Sequence, residues 1–220
     1  IWNREDDTKH GFFRPSSLHR LEGIIEGKEI ILWKHKIVSP DAAGQQMVYQ
    51  YGASLPGLAK GIVSFDFVKK KMSLLAEGAK NIKYIFPNFL VETKPFETDV
   101  PLGFWRAVYD SQNSFANECF IDELAHKSGA DPVDIRLKHV KSNSRIENVI
   151  KKAAKESKWG LKLKEGRFHG FAYHHSFGSH VAEVVEISIS NLNRVRVHKV
   201  TCVIDCGQTV NPMTIRAQMQ

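Results

Sequence analysis

Apolar and polar positions change their period along this chain, and each change marks an element. Residues 17 to 38 hold two strand-like runs separated by Gly27-Lys28, the second being Glu29-Ile-Ile-Leu-Trp-Lys-His-Lys-Ile-Val38, and they predict a β-hairpin. From Ser39 to about Leu58, Pro, Asp, Gly, Gln and Ser predict a long loop, and residues 82 to 94 read as extended chain kinked at Pro87-Asn88. A helix is predicted from about Gln112 to Lys127. It gathers Phe115, Ala116, Cys119, Phe120 and Leu124 on one side, opens with a cap at Asp110 or Ser111, and stops at Gly129. Asp131-Pro132 opens a second helix running to about His139, and the Ser144-Arg-Ile-Glu147 capping box opens a third that ends near Trp159-Gly160.

Beyond Gly160 the period falls from 3.6 to 2. Val181, Glu183, Val185, Ile187 and Ile189 alternate with smaller or polar residues, Asn191-Leu192-Asn193 turns the chain, and Arg194 to Ile204 returns as a strand. The nearly unbroken apolar run from Val200 to Ile204 predicts an end buried on both faces. A strand, a loop containing Gly207, and a helix opening at Asn211-Pro212 can aim backbone N–H groups at an anion. The fold class is therefore α+β, with mixed or antiparallel sheet layers and a central group of three helices. Residues 1–100 form a β-rich part, 101–160 a loop and helical part, and 161–220 a hairpin, loop and incomplete helix.

The chain has 220 residues and 42% apolar content, with 4 Trp and 13 Phe, enough to build a core. No apolar run reaches the roughly 18 residues of a membrane span, so none is expected in this segment. Three cysteines, Cys119, Cys202 and Cys206, make no disulfide framework or zinc pattern and are expected to be reduced and buried in apolar surroundings. The net charge of +7 is spread along the chain, with Lys69-Lys70-Lys71 as its one run, so a solvated face is expected and no nucleic-acid partner. His169, His174, His175, His180 and His198 lack a convincing ligand spacing with carboxylates or cysteines, and no metal is expected on protein ligands. Asp6-Asp7 and Asp122-Glu123 read as a polar turn and a solvent-facing helix side. With Ile1 in place of a methionine and a helix just beginning at Gln220, both ends are expected to lie inside a longer polypeptide.

Three segments carry a resemblance. Gly103-Phe-Trp-Arg-Ala-Val-Tyr-Asp-Ser-Gln-Asn113 runs on to Gly129-Ala-Asp-Pro-Val-Asp-Ile-Arg136; Asp205-Cys-Gly-Gln-Thr-Val-Asn-Pro-Met213 runs on to Gln218; and the chain opens on Trp2-Asn-Arg-Glu-Asp-Asp7. In this order they resemble the molybdopterin-binding large subunit of the molybdenum hydroxylases, the xanthine dehydrogenase/aldehyde oxidase family. Trp105-Arg106 followed by Ser111-Gln112-Asn113, and Phe177-Gly178-Ser179, are similar to the branch of isoquinoline 1-oxidoreductase β subunits and bacterial aldehyde dehydrogenases. Purine-oxidising members usually have glycine and phenylalanine where this chain has Ala107 and Val108. Tyr109 stands where the branch commonly has glycine, which bears on the loop backbone because a side chain resists φ > 0.

The resemblance implies part of a larger molybdopterin-binding domain, with a molybdenum–molybdopterin cofactor in the whole enzyme that this segment alone is not expected to hold. It implies hydroxylation of an aldehyde or N-heterocycle with water as oxygen source, and electrons passed to a small iron–sulfur subunit or domain. Trp105, Arg106, Ala107 and Gln218 are implied at the cofactor, and Val108 and Tyr109 on the substrate side. No catalytic residue is expected here, because the family's base is a glutamate in a later Gly-Glu pair, so the segment alone is expected to be inactive. Read without the resemblance, Arg106 pairs with Asp110 or Glu118 and Gln218 is an ordinary helix residue. An alternative is a non-catalytic binding or scaffold module that docks a redox partner on the basic helices around Lys138 to Lys158.

Overall fold

The structure, a computed structural model, describes residues 3–9, 11–43, 45, 74–142 and 144–220. Its elements are α1 (Arg4–Lys9), β1 (Leu18–Glu26), β2 (Glu29–Pro40), β3 (Asn88–Phe96), α2 (Asp110–Ser128), α3 (Pro132–Lys138), α4 (Arg145–Ser157), β4 (Arg167–Ser176), β5 (Ser179–Ile189), β6 (Val195–Asp205) and α5 (Pro212–Met219). Two three-stranded sheets, ordered β1-β2-β3 and β4-β5-β6, stand with these helices, which is the α+β architecture that the periodicity predicts. The chain divides into two compact units. One comprises Ile1–Glu22, Lys34–Asn81 and Phe89–Ala116; the other Gly23–Trp33, Ile82–Asn88 and Asn117–Gln220.

Local rules explain the punctuation. Gly27 takes φ +59°, the left-handed value that a two-residue hairpin asks of its first turn residue. The Asp131 carboxylate accepts from the Val133 and Asp134 amides at the start of α3, where Pro132 costs no hydrogen bond. Ser144 Oγ accepts from the Glu147 amide (3.2 Å), and α4 closes on Lys158 in the left-handed region, just before Gly160. The long loop expected from Ser39 falls largely outside the described residues, as do Trp2 and the Lys69 run; Ser39 and Pro40 end β2.

In the second unit α4 packs on β5 and β6 through Val149, Ile150 and Ala153. The expected hairpin forms, β5 pairing with β6 from His180↔Asp205 to Ile189↔Val195, but it is not the whole sheet: β4 adds a third strand that pairs with β5 from Arg167↔Ser188 to Ser176↔Ser179. On β5 the buried alternate set is His180, Ala182 and Val184, while Val181 and Val185 are half-buried. The end of β6 is not buried on both faces: residues 201–205 are half-buried, and Val195, Val197 and Val200 are 63%, 56% and 53% exposed. As the sheet's last strand, β6 has α4 as its packed neighbour. Nor are the cysteines buried: Cys119 is exposed, and Cys202 and Cys206 are partly so.

The interior of this unit holds an ionic hub. Arg136, fully buried, donates from Nε to Glu118 Oε2 (2.8 Å), from one terminal nitrogen to Asp122 Oδ1 (2.7 Å) and the Pro132 carbonyl (2.8 Å), and from the other to the Glu118 carbonyl (3.1 Å). Glu118 also accepts from the Tyr84 hydroxyl (3.0 Å) and the Tyr173 amide (2.8 Å). Burial works against the Arg136 charge, but Glu118, Tyr84 and Asp122 hold it protonated, and burial beside Glu118 keeps the Tyr84 phenol a donor. Asp122 is therefore an ion-pair partner and not only a solvent-facing acid. Nearby, Trp33 is fully buried, stacked on Phe86 (5.1 Å) and edge-on to Phe120 (5.1 Å). Removing one partner of a buried pair strands the other, so Arg136→Met is expected to cost about 3–5 kcal/mol in urea unfolding. A loss under about 1 kcal/mol would place the pair among the weak surface contacts.

Candidate functional site

Residues 105–109 form one loop in the first unit. The chain enters it along a parallel bridge between Phe13 and Leu102, where the Phe13 amide donates to the Pro101 carbonyl (2.9 Å) and the Gly103 amide to the Phe13 carbonyl (3.2 Å). A Cβ at Gly103 would lie 2.6 Å from Phe12 Cβ, so this approach requires glycine. The Trp105 indole N–H then donates to the Phe12 carbonyl (2.9 Å).

Two short turns carry the loop into α2. The Val108 amide donates to the Trp105 carbonyl (2.9 Å) and the Asp110 amide to the Ala107 carbonyl (2.8 Å). Ala107 (φ +72°) and Val108 (φ +46°) both take left-handed backbone, whereas Tyr109 does not. Such conformations cost an L-residue about 1–2 kcal/mol each and collect at functional sites. Position 107 therefore suits glycine, the residue that the resemblance gives to purine-oxidising members there. Tyr109, 1% exposed, anchors the exit: its hydroxyl donates to the Pro40 carbonyl (2.7 Å) and accepts from the Ala42 amide (2.9 Å). Burial pushes its phenol up to about 12. Val108 packs on Ala42, Leu75, Leu102 and Tyr109.

Arg14 reaches the same loop from a distant part of the sequence. Its guanidinium carbon lies 5.3 Å from the Trp105 ring centroid; Nη1 donates to Ser111 Oγ and, through a long bond (3.4 Å), to the Val108 carbonyl, and Nη2 donates to the Arg106 carbonyl (3.4 Å). The carbonyls of Trp105, Arg106, Ala107 and Val108 thus all accept hydrogen bonds. Among the described residues, the amides of Arg106 and Ala107 find no acceptor, and the exposed Arg106 side chain makes no hydrogen bond or ion pair. Glu118, which the sequence offers as an Arg106 partner, is bound to Arg136 and Tyr84 instead. The loop is a surface of donors with its acceptors spent, and backbone rich in free donors favours anions.

The second motif lies in the other unit. At the end of β6, Asp205 takes a forked pair of bonds from Arg145 (Nε to Oδ2 2.8 Å, Nη2 to Oδ1 2.7 Å), and Oδ1 also accepts from the Gly207 amide (3.0 Å). These bonds hold the Asp205 carboxyl down at about 2. Asn211 Oδ1 caps α5 through the Met213 amide (3.0 Å), and Gln218 is exposed on that helix with no partner among the described residues. The structure thus gathers Trp105, Arg106, Ala107, Val108 and Tyr109 in one loop and places Gln218 in the second unit. The histidines serve local contacts: His180 Nδ1 lies 2.8 Å from the Tyr173 hydroxyl, His198 Nε2 lies 2.7 Å from Ser188 Oγ, and His169 stacks on Trp159 (5.7 Å). Arg14 and Arg145 were not legible as loop anchors, since Arg14 carries no local signal and Arg145 sits inside a capping box.

Two outcomes follow from this geometry. Ala107→Gly is expected to raise stability by up to about 1 kcal/mol and Ala107→Val to lower it, read from the urea midpoint. An unchanged or lower midpoint for the glycine variant would mean that position 107 is not strained. Because the folded Asp205 carboxyl titrates at about 2 against an ordinary 3.8, its contribution is complete above 3.8 and fades as the pH falls towards 2. The stability gap between the wild type and Arg145→Ala should follow that window in acid titration; a gap independent of pH would contradict it.

Comparison with known proteins agrees with the two motifs. The family model for the molybdopterin cofactor-binding domain matches residues 105–220. The beta chain of isoquinoline 1-oxidoreductase from Brevundimonas diminuta is 27% identical over 230 residues, a match that covers 100% of this chain and 27% of that protein. One of the subunits of nicotinate dehydrogenase from Pseudomonas putida is 34% identical over 138 residues, covering 54% of this chain and 12% of that protein. The chain therefore spans a small part of the length of these relatives. Among solved structures, the aldehyde oxidoreductase of Desulfovibrio gigas superposes with a TM-score of 0.52 at 16% identity over 90% of this chain and 22% of its own, a likeness of fold. With more than half of its residues matched by the family model, this chain belongs to the molybdopterin cofactor-binding domain family.

Proposed function

We propose that this chain supplies one wall of the molybdopterin site in the large subunit of an oxidoreductase that hydroxylates an aldehyde or an N-heterocycle. The observation that carries this reading is the Arg106 loop: an exposed cation and two neighbouring amides without acceptors among the described residues, on a backbone whose carbonyls are already bonded. An anionic cofactor fits that donor set. Arginine suits such a group because its charge is permanent and its fork matches anionic oxygens. When bound, the molybdopterin supplies the redox chemistry.

This chain's own residues bind and orient. Arg106 and the amides of Arg106 and Ala107 would hold the cofactor, with Trp105 beside them, and the exposed Gln218 amide would bond the pterin or its phosphate tail. Val108 and Tyr109 are proposed on the substrate side. With its hydroxyl committed to Pro40 and Ala42, Tyr109 would shape that side by fixing the loop. Water as the oxygen source, and electrons leaving to an iron–sulfur subunit or domain, complete the proposal.

In the polypeptide that carries this chain, Arg106→Ala is expected to lower molybdenum per protein, measured by mass spectrometry, and turnover by about tenfold. Wild-type metal content and turnover in that variant would overturn the reading. Turnover of the wild type on panels of aldehydes and N-heterocycles separates the two substrate classes.

A further inference from the structure

Among the described residues, the side chains of the loop at residues 105–109 that hydrogen-bond backbone are the Trp105 indole and the Tyr109 hydroxyl at its two ends, and Val108 adds apolar packing. Between those ends the backbone is left-handed at two successive residues that bear side chains, an arrangement that does not persist by local preference. Arg14 is the group that spans the gap. It meets the Trp105 ring, the Arg106 and Val108 carbonyls and Ser111 Oγ with one guanidinium. These contacts use what arginine has and lysine lacks: a flat face for an aromatic ring together with several N–H donors fixed in one plane. Arg14 is itself placed by the bridge of Phe13 to Leu102 and by the buried Pro15 that follows it.

We infer that Arg14 is a positioning residue for the cofactor: it occupies the carbonyls of Arg106 and Val108 and so leaves the adjacent amides and the Arg106 side chain as the groups offered to an anion. The inference rests on the reading of this loop as cofactor-binding. The role is distinct from that of Arg106, which would touch the cofactor itself. A positioning role predicts that losing the fork loosens the loop backbone while the rest of the unit stays folded. The consequence for the cofactor then follows from the misplaced backbone, since an error of about 1 Å at a reacting centre can cost on the order of a hundredfold in rate.

The test uses the full polypeptide with Arg14→Gln, Arg14→Lys and Arg106→Ala, each measured for hydrogen exchange of the peptide covering residues 105–111, for molybdenum per protein and for turnover. Arg14→Gln is expected to speed exchange in that peptide about tenfold or more, with the peptides of β2 unchanged, and to lower molybdenum content or turnover. Arg14→Lys keeps a cation near Trp105 and loses the fork, so it should be intermediate in both, which guards against a variant that merely fails to fold. Unchanged exchange over 105–111 in both Arg14 variants overturns the inference. Faster exchange with wild-type molybdenum and turnover overturns it too, provided that Arg106→Ala lowers them. If Arg106→Ala also leaves them at wild-type level, the cofactor reading of the loop falls, and the inference with it.

Discussion

The fully buried Arg136 guanidinium and the Glu118 carboxylate hold the second unit together from within. Glu118 accepts from Arg136, from the Tyr84 hydroxyl and from the Tyr173 amide, so one carboxylate ties α2, α3, β4 and the segment before β3 to a single point. Burying a charge is costly unless every lone pair and proton finds a partner, and here Asp122, the Pro132 carbonyl and the Glu118 carbonyl take the remaining Arg136 donors. The Phe171 ring, 5.5 Å from the guanidinium carbon, covers one side of the pair. Such a hub tolerates one arrangement of its elements, because sliding any of them by a residue strands a charge.

The motif loops follow the same principle at smaller scale. Arg14 holds the loop at residues 105–109, and Arg145 holds the Asp205 turn through a forked pair of bonds. In both cases an arginine outside the motif satisfies acceptors of the loop; at residues 105–109 the Arg106 and Ala107 amides then stand without acceptors among the described residues, whereas the Gly207 amide is taken by Asp205 Oδ1. The loop at residues 105–109 presents a donor set of the kind that suits anions, and it holds its strained residues, Ala107 and Val108, without support from regular secondary structure. The division of labour suits a site whose chemistry belongs to a cofactor, since the protein's task is then to bind and to orient.

What was legible in the sequence is what local rules write. Gly27, Asp131-Pro132 and Ser144-Glu147 signal their turn and caps through contacts with residues at most three positions away, and each is where the pattern places it. The motif residues were found by resemblance; those from Trp105 onward lie in the segment that the family model matches, and Trp2 to Asp7 lie outside it. Non-local features were hidden. β4 reads poorly because histidines and Gly170 interrupt its apolar residues, and the inward face of β5 could not be chosen when both alternate sets contain valine. The open side of β6 looked buried because an apolar run records composition and not neighbours. Arg14 meets the loop carbonyls of Arg106 and Val108 across 92 and 94 positions, a distance that no spacing rule spans.

The central claim is that this chain contributes to a molybdopterin site. The most direct measurement is the molybdenum and released pterin content of the wild-type polypeptide carrying it, purified from a host that makes the cofactor. The account predicts both, in equal amounts and approaching one per polypeptide; a folded protein with neither molybdenum nor pterin would contradict it.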